Sequence, residues 1–91
     1  MSKVASDLES LIDFRNRLVH FNREIDQNFS NMLSAYRDVG KVWSDAKFNE
    51  FGKALEDAGR GVNHYLHATQ SHEAHLLRLI ETLRSYLDQS I

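Results

Sequence analysis

Four histidines, His64, His67, His72 and His75, are the side chains in this sequence best suited to binding a metal, and they lie within twelve residues. On a helix each close pair points to one side, so His64 with His67, or His72 with His75, could chelate one ion. The pairs are separated by about 12 Å of helix rise, which is too far for all four imidazoles to share an ion. We therefore predict no metal site, and a metal-binding bundle that uses the cluster from His64 to His75 is the third functional alternative.

Other catalytic arrangements are missing from the sequence. It has no cysteine, no Gly-x-Ser-x-Gly motif and no glycine-rich phosphate loop. His20 and Glu24 share a helical face, but a pair with this spacing is usually an exposed contact between neighbouring turns. We predict no catalytic residue and no cofactor, and we expect a protein that is not an enzyme.

The composition favours one small helical domain. The chain has 91 residues, no proline and four glycines, and its 11 basic and 13 acidic side chains are interspersed. The resulting net charge of −2 argues against nucleic acid as a partner. No apolar run is long enough for a membrane span or a signal peptide. We expect a cytoplasmic protein, or one secreted without a cleavable signal peptide.

The spacing of apolar residues predicts a first helix over about residues 4–39, because they recur every three or four positions. A turn is predicted over about residues 38–45, where Gly40 could adopt the left-handed conformation that ends many helices. Ser44 or Asp45 would cap the next helix. If Ser44 is the cap, Trp43 and Phe48 have the spacing of a hydrophobic staple and should pack together.

The second helix is predicted over about residues 45–88, with a polar patch from Thr69 to Glu73 interrupting its apolar stripe. A break at Gly59-Arg60-Gly61 would give three helices instead of two. We predict a continuous helix, because the apolar stripe keeps its phase on both sides of these glycines. Gly52 and Gly59 lie seven residues apart on one stripe, where small residues allow another helix to approach closely.

The predicted fold is therefore all-α, a long antiparallel helical hairpin that dimerises into a four-helix bundle. Two helices form a single layer, and a stable domain needs at least two packed layers. The partner would be a second copy of the chain or a paralogous hairpin. The predicted dimer interface consists of Phe14, Phe21, Phe29, Phe51, Leu55, Gly52 and Gly59.

The turn carries a tryptophan motif, Val39-x-x-x-Trp43-x-Asp45, followed by Phe48 and Phe51. Together with two helices of this length, the motif resembles the WXG family, the small ESAT-like helical hairpins of type VII secretion. Two features depart from the family pattern. Asp45 stands where the family has a glycine, and Tyr86 is followed four residues later by Ser90 instead of an acidic residue.

The resemblance implies a protein that interacts with other proteins and acts as a substrate or adaptor of a type VII-like secretion system. A secretion ATPase would then be a partner, and Trp43, Asp45 and Phe48 would form the turn or bind the partner. The alternative is a helical-bundle adaptor or assembly subunit that has no connection with secretion.

Overall fold

The computed structural model describes residues 3–89 and consists of two helices, α1 over Lys3–Gly40 and α2 over Ala46–Gln89. The helices form a rod of 68 × 16 × 16 Å. They run antiparallel, because Phe14 of α1 contacts His72 of α2, whereas Tyr36, later in α1, contacts Phe48, earlier in α2. The predicted helical hairpin is confirmed. The second helix continues through Gly59-Arg60-Gly61, so the three-helix alternative is wrong.

Each helix presents a repeating line of partly or fully buried side chains to the other, and we call these two lines the seam. On α2 its positions alternate steps of four and three residues without a defect, which is the seven-residue repeat of coiled coils. The seam contains Leu8, Leu11, Arg15, Leu18, Asn22, Ile25, Phe29, Leu33 and Tyr36 of α1, and Phe48, Gly52, Leu55, Gly59, Val62, Leu66, Thr69, Glu73, Leu76, Ile80, Leu83 and Leu87 of α2.

The apolar core along this seam is thin. Among the described residues, the buried hydrophobic side chains are Leu55, Leu76 and Ile80. Two polar side chains, Asn22 and Thr69, are buried as deeply. A single seam between two helices covers only one face of each, so most of the remaining apolar side chains stay partly exposed.

Two glycines of the seam provide space for aromatic rings of α1. A Cβ atom added to Gly52 would overlap the Tyr36 hydroxyl oxygen and lie 2.8 Å from Cζ. At Gly59 the added atom would lie 3.1 Å from Cε1 of Phe29. None of the described glycines has a positive φ angle. Glycine is therefore needed at residue 52 for space and not for backbone conformation.

The end of α1 differs from the prediction for Gly40. This residue closes the helix without adopting the left-handed conformation. Instead, the carbonyl of Val39 accepts hydrogen bonds from the backbone amides of Val42 at 3.0 Å and Trp43 at 2.9 Å. A tightened last turn satisfies carbonyl groups at the helix end, so a left-handed glycine is not required.

We expect Gly52→Ala and Gly61→Ala to change stability in opposite directions. The added methyl at residue 52 must displace Tyr36, which should lower the free energy of unfolding by about 1–3 kcal/mol. At Gly61 there is no atom within 4 Å of an added Cβ, so the helix should gain about 1 kcal/mol from the better helix former. Urea denaturation followed by circular dichroism, at one protein concentration, measures both changes.

Tyr36→Phe provides the control for the steric explanation. Removing the hydroxyl should recover part of the stability that Gly52→Ala loses, because the oxygen is the atom closest to the added methyl. Equal stabilisation by alanine at residues 52 and 61 would contradict this packing.

Candidate functional site

Trp43 lies at the tip of the hairpin with 60% of its surface exposed. The neighbouring Val42 is 85% exposed, so two apolar side chains project from the turn side by side. The indole Nε1 of Trp43 donates a hydrogen bond of 3.0 Å to Oδ2 of Asp45. This bond restrains the ring in the turn while much of its surface remains accessible.

Asp45 has a second role as the N-cap of α2. Its Oδ1 accepts a hydrogen bond of 2.7 Å from the backbone amide of Phe48, the third residue of the helix. Of the two capping residues that the sequence allowed, Ser44 and Asp45, it is Asp45 that caps α2. This cap places Trp43 one position further from the helix, so Trp43 and Phe48 lose the spacing of a hydrophobic staple.

Phe48 packs instead on Tyr36 of α1. The two rings are stacked, with centroids 4.2 Å apart and planes inclined by 11°. The Tyr36 hydroxyl also donates a hydrogen bond of 2.9 Å to the backbone carbonyl of Phe48, and the Phe51 ring lies 6.0 Å from Tyr36. Phe48 therefore fixes the junction between the helices beside the turn.

One side of the hairpin is lined by a strip of mainly aromatic and small side chains that we call the aromatic flank. Its members occupy the positions directly before seam residues and recur every seven residues along each helix. The rings of Phe14 and His72 meet edge to face at 6.4 Å, and those of Phe21 and Tyr65 at 6.3 Å, which places the two lines on the same side. The flank consists of Phe14, Phe21, Asn28 and Ala35 of α1, and Phe51, Ala58, Tyr65, His72 and Leu79 of α2.

The residues predicted to form a dimer interface divide into two groups. Gly52, Gly59, Leu55 and Phe29 belong to the seam, where they pack between the helices of a single chain. Phe14, Phe21 and Phe51 belong to the aromatic flank, and each remains about half exposed. Spacing alone did not separate these groups, because both recur every seven residues.

One member of the histidine cluster, His72, belongs to this flank. The rings of His72 and His75 lie 6.3 Å apart, and His72 also contacts Phe14. Within residues 3–89, no three histidine or carboxylate side chains come together as a metal site would require. His20 and Glu24 are both exposed, and Nε2 of His20 lies 2.9 Å from Oε1 of Glu24.

A buried polar network crosses the seam near its middle, and its central residue was not among those predicted from the sequence. Asn22, only 6% exposed, donates from Nδ2 to Oγ1 of Thr69 at 2.7 Å and to Oε2 of Glu73 at 2.8 Å. The Tyr65 hydroxyl donates to Oδ1 of Asn22 at 2.7 Å. The sequence does contain a sign of this network. Asn22 interrupts the apolar stripe of α1, and the polar patch from Thr69 to Glu73 interrupts the stripe of α2 at the position that faces it.

Arg15 adds a further bond across the seam next to this network. Its Nε donates to the backbone carbonyl of Glu73 at 3.1 Å. Each described buried polar side-chain atom has a hydrogen-bond partner. The polar part of the seam is therefore satisfied within the chain, as stable burial of such groups requires.

Neither of the two described helices has an apolar stretch of the length needed to cross a membrane. Comparisons of the chain with family models, with curated proteins and with solved structures give no match. The geometry of the turn, the flank and the seam is therefore the basis for a functional proposal.

Proposed function

We propose that this chain is an interaction protein without enzymatic activity, which works as a WXG-like dimer of helical hairpins. In this proposal it is presented to, or carried by, a type VII-like secretion system as a substrate or adaptor. The observation that supports the proposal best is the aromatic flank. It leaves a line of half-exposed rings along a molecule whose own seam buries few apolar side chains.

The flank is large enough for a second copy of the chain to be its occupant. An aromatic side chain has roughly 150–250 Å² to bury, so half of Phe14, Phe21 and Phe51 amounts to roughly 200–400 Å². A standard interface buries about 800 Å² on each partner, of which somewhat more than half is apolar. These three rings with Leu79 and Tyr65 would therefore supply most of the apolar part.

The order of large and small residues along the flank fits a two-fold related copy running in the opposite direction. An axis midway between residues 21 and 28 would place Phe21 opposite Asn28, and Phe14 opposite Ala35, of the second copy. On α1 large side chains then face small ones, as close packing requires. On α2 the same axis would place Tyr65 opposite Ala58 of the other chain, and Phe51 opposite His72, where two rings meet. In an isologous interface each of these contacts occurs twice, once on each side of the axis.

We predict that Ala58→Glu disrupts the dimer. Sedimentation of the wild-type chain at micromolar concentration should give about twice the 10.5 kDa mass of one chain. The glutamate would be buried against an aromatic ring without a partner charge, which should raise the dissociation constant at least 100-fold, or by about 2.7 kcal/mol. Ala58 lies in the flank and not in the seam, so the helical circular dichroism signal should persist.

Ala68→Glu is the matched control, because Ala68 is an exposed alanine of the same helix that lies outside both seam and flank. This variant should dimerise like the wild-type chain. A wild-type chain that stays monomeric when concentrated would remove the dimer from the proposal. Equal weakening by both glutamates would move the interface away from the aromatic flank.

The role in secretion is supported by the architecture and by the exposed tryptophan at the tip. Asp45, which departs from the family pattern, caps α2 and also holds the indole. An exposed aromatic ring with little freedom to move loses little conformational entropy on binding, and tryptophan is common among the residues that dominate interfaces. In this proposal Trp43 binds in a pocket of a secretion ATPase.

We expect Trp43→Ala to abolish export from the native cells while changing the unfolding midpoint by only a few degrees. The small effect on stability follows from the exposure of the ring, since truncating a buried tryptophan typically costs 3–5 kcal/mol. Val42→Ala removes the adjacent and more exposed side chain, and it should leave export intact. Quantifying the protein in the culture medium and thermal unfolding of purified variants measures both effects.

The outcome also discriminates the proposal from its alternatives. A large loss of stability in Trp43→Ala would make the tryptophan a structural residue. If the wild-type chain is not exported, or if Trp43→Ala does not change its export, a helical-bundle adaptor or assembly subunit unrelated to secretion is favoured. Stoichiometric zinc, iron or copper in the purified chain would revive the alternative based on the histidine cluster.

A further inference from the structure

We infer that the polar network formed by Asn22, Tyr65, Thr69 and Glu73 determines the register in which α1 and α2 pair. Asn22 is the central residue, because both hydrogens of its amide and its carbonyl oxygen are used within the network. All three partners come from α2, at intervals of four residues. A buried asparagine in a helical seam contributes more by excluding other pairings of the helices than by stabilising the fold.

The seam itself leaves an alternative register open. Because its positions on α2 repeat every seven residues, a slip of α2 by seven residues again brings seam positions opposite seam positions. Residues 41–45 can lengthen if the first two turns of α2 unwind. A slipped hairpin of this kind is therefore accessible to a single chain.

In that slipped hairpin Asn22 loses most of its partners. Leu76 and Ile80 would take the places of Thr69 and Glu73, and His72 would be its one polar neighbour at the position of Tyr65. The amide hydrogens of Asn22 would then be buried against aliphatic carbon. Such an unsatisfied group costs enough to disfavour the slipped form by roughly tenfold or more.

The network also connects the register to the aromatic flank. Tyr65 donates its hydroxyl hydrogen to Asn22 while its ring meets Phe21 on the flank. The slip would put Leu79 in place of His72 opposite Phe14, and His72 in place of Tyr65 opposite Phe21. A single register is therefore a condition for a single arrangement of rings on the surface.

Crosslinking tests the inference directly, since the chain has no cysteine of its own. Phe14→Cys with His72→Cys reports the native register, because these rings lie 6.4 Å apart. Phe14→Cys with Leu79→Cys reports the slipped register. With a short thiol-specific crosslinker at low protein concentration, only the first pair should crosslink within one chain. Mass spectrometry distinguishes crosslinks within a chain from those between chains.

The network is then removed by Asn22→Leu with Thr69→Leu, which replaces both buried partners by apolar side chains. The slipped pair should now crosslink within one chain, with a yield at least ten times that in the wild-type background. If this variant does not fold, Asn22→Leu alone is examined with the same two pairs. Crosslinking of the native pair only, in a folded variant that lacks Asn22, would overturn the inference.

Thr69→Val provides the complementary measurement, because it removes one partner and leaves Asn22 buried. The folding equilibrium constant should fall about tenfold, and the register should stay native. In the background of Asn22→Leu the same substitution should have no such cost. An equal effect of Thr69→Val in both backgrounds would show that the two side chains are not coupled, and it would also overturn the inference.

Discussion

The structure depends on one constraint, which is that the described helices pack against each other through a single seam. In an antiparallel pair each helix covers only one face of the other, so every residue away from the seam stays on the surface unless another molecule covers it. This explains why few apolar side chains are buried and why half-exposed rings follow the seam along its side. It also explains why a polar network of four residues can influence how the helices pair, since few apolar contacts are buried beside it.

Much of the fold could be predicted from the sequence because helix formation is a local property. The three-and-four spacing, the absence of proline and the turn around Gly40 indicated two helices, and the apolar stripe indicated a continuous α2 through its glycines. The ends of the helices were harder to predict. Ser44 and Asp45 are both good caps, and only the observed backbone shows that Asp45 reaches the amide of Phe48.

The parts of the site that could not be predicted are those that depend on how the two helices face each other. Gly52 and Gly59 looked suited to contact with a second copy, but Tyr36 and Phe29 of the same chain use the space beside them. Asn22 was overlooked because a polar residue in an apolar stripe looks like a defect when a helix is considered alone. Its three partners lie more than forty residues away in sequence, where spacing within one helix carries no information.

The antiparallel arrangement has a mechanical consequence. Lys3 and Gln89 lie at the same end of the rod, opposite the turn, so a force that pulls the two ends of the chain apart acts across the seam and not along it. The facing pairs of seam residues would then separate one after another from the open end. This stepwise separation needs much less force than shearing the whole interface at once. The bonds of Asn22 lie about halfway along the rod, where they would resist this unzipping before the turn itself is reached.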